Sequence, residues 1–170
     1  RRPRNRIFHK PIVVGTHAVY LGRRSRETET HRWSCYIRGA RTEYGGYEDI
    51  SSYIESIEFT LDESFTPHIL NIPKAPFEIK TQDGASSKSA QDIFKDHNLE
   101  PVSLGKELVL YDDGNLPPSP KRPIIREDYN ELVFVEPSDK MRSLMFPHAA
   151  QVFVQDPLDA ALATEENKAD

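Results

Sequence analysis

The stretch Asp49–Phe77, DISSYIESIEFTLDESFTPHILNIPKAPF, decides the fold of this chain. Within it the apolar residues Ile57, Phe59 and Leu61 alternate with polar ones, which is the period-2 pattern of a strand with one face in a core. The strand then ends in the loop Asp62–Pro67, which holds a hydroxyl and an aromatic ring side by side before a proline stops further ladder pairing. This loop is the candidate binding site.

Composition favours a sheet protein of one domain. A chain of 170 residues can bury roughly two thirds of the surface that its unfolded form exposes. Aromatic and β-branched residues come in short runs separated by 13 prolines and 8 glycines, a pattern typical of many short strands. We therefore expect an all-β fold, an antiparallel sandwich of two sheets.

The other strands follow from runs of β-forming residues between turn residues. Pro67, Pro73 and Pro76 bracket two of these runs and exclude them from the centre of a sheet, because proline cannot donate to the ladder. The last run is apolar throughout and is predicted as a fully buried strand. The predicted strands are Ile12–Leu21, His31–Ile37, Ile54–Leu61, Ile69–Ile72, Phe77–Ile79, Val102–Tyr111 and Leu132–Val135.

One face of each strand is expected to supply the core. In the second strand the apolar residues alternate with more polar ones, so the face that carries the tryptophan is predicted to point inward. The predicted core side chains are Trp33, Ile37, Ile57, Phe59, Leu61, Leu108, Leu110 and Phe134.

Two segments lack a strand pattern. The centre of Lys80–Glu100, at Gly84–Ala90, is small and polar, so the segment is predicted as a mobile loop with a short strand piece around Ile93 and Phe94. Asp112–Arg126 holds four prolines and is predicted as a second loop.

A helix is predicted after the last strand. Ser138 is a candidate N-cap, and Met141, Leu144 and Met145 recur at helical spacing before Pro147 interrupts the pattern. We expect part of this apolar stripe to pack on the sandwich and part to contact a partner. The predicted organisation is a basic arm at 1–6, the sandwich at 7–137, and a helical segment with an acidic tail at 138–170.

Charge and cysteine content narrow the class of protein. Acidic residues outnumber basic ones by 27 to 22, which disfavours general binding to nucleic acid. The single cysteine, Cys35, cannot form an internal disulfide and is expected to be a core residue in a reducing compartment. Neither a membrane span nor a secretory leader is indicated, so we expect a cytosolic or nuclear protein.

No catalytic motif is present in the sequence. The six histidines are scattered, and the chain contains no HExxH, CxxC, GxSxG or glycine-rich phosphate loop. We therefore expect no enzyme, no metal site and no cofactor.

Six segments, taken in their order along the chain, resemble the YEATS domain family. Four match in residue type and spacing, and two more look like the GAS-forty-one and Yaf-nine branch of that family. The resemblance spans about Ile7 to Met145 and implies an immunoglobulin-like sandwich followed by a short helix. The first four segments are His31–Gly39, Asp49–Ile54, Phe59–Phe65 and Ala75–Ile79, and the other two are Lys10–Gly15 and Tyr129–Pro137.

The resemblance also implies a ligand, the acylated lysine of a histone H3 tail held between aromatic rings. The acyl amide is neutral and flat, so its site needs ring faces and hydrogen-bond partners. Ser64 and Phe65 match the hydroxyl and the ring of the family's loop. The site residues that the resemblance implies are Asp62, Ser64, Phe65, His31, Gly84 and Glu107.

Half of the aromatic sandwich is missing from this sequence. The family usually has histidine where this chain has Asp62, and an aromatic residue after a glycine where this chain has Gln82-Asp83, or Gly84-Ala85 after a short shift. Phe94 could supply a second ring only if its loop folds back. The charge of Asp62 would favour a lysine that keeps its ammonium group.

Two functions remain open. The first is an acyl-lysine reader in a nuclear chromatin-modifying or remodelling complex, with the histone H3 tail and subunits of a histone acetyltransferase or remodelling complex as partners. The second is a scaffold subunit of such a complex whose pocket has degenerated. In both cases we expect no membrane partner and no specific nucleic acid.

Overall fold

Two four-stranded antiparallel sheets make up most of the computed structural model, which describes residues 6–22, 30–61, 63, 67–80, 87–105 and 117–147. The strands are β1 (Ile7–Tyr20), β2 (His31–Gly39), β3 (Ile54–Leu61), β4 (Ile69–Ile72), β5 (Phe77–Lys80), β6 (Ser87–Phe94), β7 (Val102–Gly105) and β8 (Ile124–Val135). A 3₁₀ turn at Ile50–Ser52 precedes β3, and the helix α1 (Asp139–Met145) follows β8.

The sheets pack face to face as an immunoglobulin-like sandwich. The first has the strand order β5-β2-β1-β8 and the second the order β4-β3-β6-β7. Side chains from both sheets and from α1 form one continuous apolar core. The predicted all-β, antiparallel sandwich with a C-terminal helix is therefore confirmed.

The strand β3 has the predicted register. Ile57, Phe59 and Leu61 are fully buried, whereas Glu58 and Thr60 between them are partly exposed. Among the other predicted core residues, Trp33, Ile37 and Phe134 are buried and Cys35 is buried as a free thiol. Leu108 and Leu110 lie outside the described residues.

The two runs bracketed by prolines are edge strands, as predicted. β4 pairs only with β3 and β5 only with β2 among the described strands, and each is four residues long. Proline on either side therefore costs these sheets no internal hydrogen bond.

The segment predicted as a mobile loop contains a strand, so that prediction was wrong for residues 87–92, and the short strand piece predicted around Ile93 and Phe94 is the end of this strand. β6 pairs along β3 on one side and β7 on the other, which places it inside the second sheet. Ala90 and Phe94 point into the core. A strand that is hydrogen-bonded to neighbours on both edges needs no more than these two apolar residues on its inner face. Small, polar composition therefore did not indicate a loop here.

The prediction for the last strand was wrong in two respects. β8 begins at Ile124, inside the segment predicted as a loop, and it lies at the edge of its sheet. Leu132 and Phe134 are buried, but Val133 and Val135 are exposed, because only one face of this edge strand meets the second sheet. The apolar run without alternation predicted burial on both faces, but the strand is buried on one face only.

The helix α1 closes the sandwich at the end where β8 stops. The Ser138 hydroxyl accepts a hydrogen bond from the Met141 amide at 3.1 Å, which confirms the predicted N-cap. Met141 and Met145 are buried in the common core, as the prediction of a partly packed stripe requires. Residues after Pro147 lie outside the described residues.

A buried lysine fastens the end of the helix. Lys10 of β1 forms an ion pair with Glu48, and its Nζ atom lies 4.6 Å from the ring centre of Phe146 and 5.7 Å from that of Tyr53. The ammonium group is thus enclosed by a carboxylate and two ring faces. Phe146, the residue that follows α1, is thus held against β1.

Candidate functional site

The turns that carry the predicted site leave from one end of the sandwich. In the first sheet Tyr20 lies opposite His31, and in the second Leu61 lies opposite Ser87. The β5 terminus at Lys80 joins the same end, because β5 runs antiparallel to β2 and Lys80 lies near the start of β2. We call this the loop end, defined by Tyr20, His31, Leu61, Lys80 and Ser87.

The candidate loop between β3 and β4 is closed at its base. The Leu61 amide donates a hydrogen bond to the His68 carbonyl oxygen at 2.6 Å. Glu63, inside the loop, is exposed. The predicted site residues Asp62, Ser64, Phe65, Gly84 and Glu107 lie outside the described residues, so their assignment stays a prediction.

His31 is the one predicted site residue that the structure describes. It begins β2 on the inward face of the sheet, where it is buried with its Nδ1 atom 2.8 Å from the Thr30 hydroxyl oxygen. Its ring centre lies 5.4 Å from that of Tyr20, its register partner on β1. His31 therefore lies at the base of the loop end.

Tyr20 is an aromatic residue of the loop end that the sequence prediction missed. Its position could have indicated this role, because Tyr20 lies at the end of the first predicted strand. In a hairpin that position pairs with the first residue of the second strand, His31. The half-buried ring and His31 together give the loop end an aromatic base.

Phe94 does not supply the missing second ring at the loop end. Its register partner is Ile54, at the opposite end of β3 from Leu61, which is about 23 Å away for seven residues of strand. The ring is buried and packs edge to face on Phe134 with 5.2 Å between the ring centres. The fold-back alternative for Phe94 is therefore excluded.

Two buried ionisable side chains lie elsewhere in the sandwich. Burial raises the pKa of Asp92 on β6 to about 7 and lowers the pKa of His17 on β1 to about 4. Within the described part of the chain, neither carboxylate oxygen of Asp92 and not the Nε2 atom of His17 has a hydrogen-bond partner. His17 is thus neutral near neutral pH, whereas Asp92 is neutral at pH values well below its pKa of about 7.

A small cleft opens at the end of the sandwich opposite to the loop end. The guanidinium carbon of Arg38 lies 3.9 Å from the ring centre of Tyr47 in its wall. The lining residues are Ile37–Gly39, Tyr47–Ile50 and Ala75–Phe77.

The described residues include no helix long and apolar enough to cross a bilayer. Across the same residues, histidine, cysteine and carboxylate side chains do not come together in groups of three that could hold a metal ion.

Comparison with known proteins points to one family. The profile of the YEATS family matches residues 28–84. Transcription initiation factor TFIID subunit 14b of Arabidopsis thaliana is 32% identical over 146 residues, which cover 84% of this chain and 53% of the relative. The Protein AF-9 homolog of Emericella nidulans is 25% identical over 150 residues, with 82% and 53% covered. The chain thus spans about half the length of these relatives.

Solved structures share the fold. The Yaf9 YEATS domain bound to H3K27ac superposes with a TM-score of 0.66 at 21% identity, covering 85% of this chain and 97% of that one. The Yaf9 YEATS domain recognising an H3K122suc peptide gives 0.63 at 20% identity with the same coverage. At such identities the likeness shows the architecture of the sandwich.

Proposed function

Because the chain belongs to the YEATS family, we propose that it is a chromatin-associated protein whose loop end binds an acylated lysine of a histone H3 tail. We further propose that it acts in the nucleus as a non-enzymatic subunit of a chromatin-modifying or remodelling complex. Solved Yaf9 YEATS domains bound to acylated H3 peptides, and relatives named as a TFIID subunit and AF-9 homologs, support this proposal.

The observation that carries the proposal is that the family match includes the strand ends that surround the candidate loop. Residues 28–84 include β2, β3, β4 and β5, and the described strand ends His31, Leu61 and Lys80 of that span all lie at the loop end. The turn that holds Ser64 and Phe65 leaves from Leu61 and returns at His68. The aromatic base of Tyr20 and His31 lies at the same end of the sandwich as the strand ends from which this turn leaves.

The chemistry of the ligand suits these residue types. Burying an acyl-lysine amide without a hydrogen-bond partner costs about 1–3 kcal/mol, so a hydrogen bond from a hydroxyl such as that of Ser64 can stabilise the bound amide. A flat amide also stacks on a ring such as that of Phe65. With a single ring, binding is expected to be weak, with Kd on the order of 0.1–1 mM, because ordering the lysine side chain uses much of the contact energy.

The test is a titration of acetylated, crotonylated and unmodified H3 peptides, followed by the amide chemical shifts of the protein. Ser64→Ala should weaken binding of the acylated peptide by about 0.5–1.5 kcal/mol, one net hydrogen bond, and Phe65→Ala should weaken it more. Ser143→Ala, an exposed serine on α1 far from the loop end, is the matched control and should change nothing.

The second candidate function is a scaffold subunit with a degenerate pocket. The observation that favours it is the core position of Phe94, which leaves the loop end without that second ring. Equal affinity for acylated and unmodified peptide in both the wild type and Ser64→Ala, or no binding at millimolar peptide, would decide for the scaffold.

A further inference from the structure

The strand β8 presents a long edge. It has 12 residues, and among the described strands only β1 pairs with it. The N–H and C=O groups on the outer edge of such a strand can pair with another chain. β8 is therefore a template for one added strand.

The outer face beside this edge is apolar toward the C-terminal end of β8. Leu132 and Phe134 point into the core, so the residues between and after them point outward. Val133 is 55% exposed and Val135 60%, and Ile7, which is 53% exposed, lies directly opposite Val135 on β1. These three side chains form an exposed apolar strip, and Tyr129 extends it with 62% exposure.

The other part of the same face is acidic. Of the outward residues of β8, Glu127 and Glu131 are acidic and exposed; Glu127 is paired with Arg38 of β2 at 3.0 Å and accepts a hydrogen bond from the Tyr36 hydroxyl at 2.6 Å. Glu131 lies 3.2 Å from His9 Nδ1 and accepts a hydrogen bond from the Tyr129 hydroxyl at 3.1 Å. An acidic face of this kind is complementary to a basic strand.

The same charges disfavour two of the registers in which a second copy of this chain could pair with β8. An antiparallel pairing that is symmetric about Tyr129 would set Glu127 opposite Glu131. A pairing symmetric about the bond between Tyr129 and Asn130 would set Asp128 opposite Glu131. Like charges directly opposite each other destabilise a sheet, so these two registers are disfavoured for a second copy.

We propose that β8 binds an extended, basic segment of a partner protein by strand addition. In the antiparallel orientation the outward side chains of that segment meet Val135, Val133, Glu131, Tyr129 and Glu127 in turn. Alternate residues of the partner would therefore be two β-branched residues, a lysine or arginine, an aromatic or small residue, and a second lysine or arginine. The segment requires no acylation, which separates this surface from the loop end.

The probe is a synthetic peptide with threonine at every second position and valine, valine, lysine, tyrosine and lysine at the positions between. Its control has glutamate in place of both lysines. With isotope-labelled protein, we expect the lysine peptide to shift the amide resonances of β8 and the glutamate peptide to leave them unchanged. Affinity for the lysine peptide should fall as salt concentration rises.

Charge reversal of the protein is the second arm of the experiment. Glu131→Lys should weaken binding of the lysine peptide about tenfold or more. Glu55→Lys is the matched control, because Glu55 is also exposed and lies 2.7 Å from an exposed histidine, His97, on the other sheet. Val133→Lys, a second variant on the strip, should weaken binding as Glu131→Lys does.

Three outcomes would overturn the proposal. Equal effects of Glu131→Lys and Glu55→Lys would reduce the binding to general charge attraction. Peptide-induced shifts confined to His31, Leu61 and their neighbours would place the peptide at the loop end. Shifts of β8 that depend on protein concentration without peptide would identify a second copy as the occupant.

Discussion

His17 and Asp92 are buried on different sheets, and their shifted pKa values act on stability in opposite directions. The pKa of Asp92 is about 7 in the folded protein, against about 3.9 for an unfolded aspartate. Between these values the folded state binds a proton that the unfolded state lacks, so stability falls as pH rises from about 4 to 7. The full effect is about 4 kcal/mol.

For His17 the sign is reversed. Its pKa is about 4 in the folded protein, against about 6.5 for an unfolded histidine. Between these values the unfolded state binds the extra proton, so stability falls as pH drops from about 6.5 to 4, by about 3 kcal/mol. Over this range the effects of His17 and Asp92 nearly cancel.

We therefore predict that single substitutions reveal opposite pH profiles. Asp92→Asn should leave a protein whose urea midpoint rises from pH 4.5 to 6.5, because the pKa shift of His17 then acts unopposed. His17→Gln should leave one whose midpoint falls over the same range, because the pKa shift of Asp92 then acts unopposed. Urea unfolding at intervals of half a pH unit measures both.

The exposed His97 provides the control for this prediction. His97→Gln should keep the nearly flat profile of the wild type, since that ring lies at the surface beside Glu55. Parallel profiles for Asp92→Asn and His17→Gln would contradict the assignment of opposite signs.

At the scale of single residues, the sequence located the core of β3 but not the buried carboxylate. Phe59 and Leu61 follow a simple alternation, which the structure confirms. Asp92 points inward because the pairing of β6 with β3 fixes its register opposite Ile57, and that pairing joins segments far apart in the chain. Local composition carries no information on such a register.

Among the elements, strands with their own alternation or proline boundaries could be predicted, and strands defined by their neighbours could not. β4 and β5 were predictable as edges because Pro67, Pro73 and Pro76 exclude a central position. β6 has two neighbours and needs few apolar residues of its own, while β8 is apolar but covered on one face only. Burial of a strand thus depends on where it lies in the sheet.

For the candidate site, the sequence predicted the turn after β3 that starts from the loop end. The hairpin bond from Leu61 to His68 confirms where that turn begins and ends. The pairing of Tyr20 with His31 beneath it was not predicted, because it depends on the hairpin register across a separate loop. The residue types in one loop do not indicate which residues other strands place at the base of the site.

The helix α1 gives a prediction at the scale of elements. Met141 is fully buried between α1 and the sandwich, so Met141→Ala should lower the free energy of unfolding by about 2–5 kcal/mol. Ser143→Ala, an exposed position on the same helix, should change it by less than about 0.5 kcal/mol. Guanidinium unfolding of both variants measures the difference. A loss below about 1 kcal/mol for Met141→Ala would mean that α1 contributes little to the common core.

At the scale of the whole molecule, the two proposed binding surfaces lie on different parts of the sandwich. β8 begins near the loop end at Ile124, and the proposed peptide site runs from Glu127, about 10 Å farther along the strand, to Val135, about 36 Å from Ile124. We predict that an acylated H3 peptide and the basic strand peptide bind at the same time. The Kd of each, measured with the other at saturation, should change by less than about twofold.

Competition between these two peptides would contradict the separation. It would mean that both occupy one surface, and the resonances that shift would identify which one. Glu131→Lys distinguishes the cases, because it should affect the strand peptide and leave the acylated peptide unchanged.

The pairing of Ile7 with Val135 determines how the domain responds to a pulling force. The first residue of β1 and the last of β8 lie side by side, and the Glu136 amide donates to the Arg6 carbonyl oxygen at 2.7 Å just beyond them. A load applied through the two chain ends would therefore open this antiparallel pair from one end, breaking its ladder one rung after another like a zipper. When two strands are loaded in shear, all of their hydrogen bonds bear the force together, whereas in this pair the hydrogen bonds would break one at a time. Once α1 detaches, the sandwich should therefore unfold at a low force when it is pulled through its two chain ends.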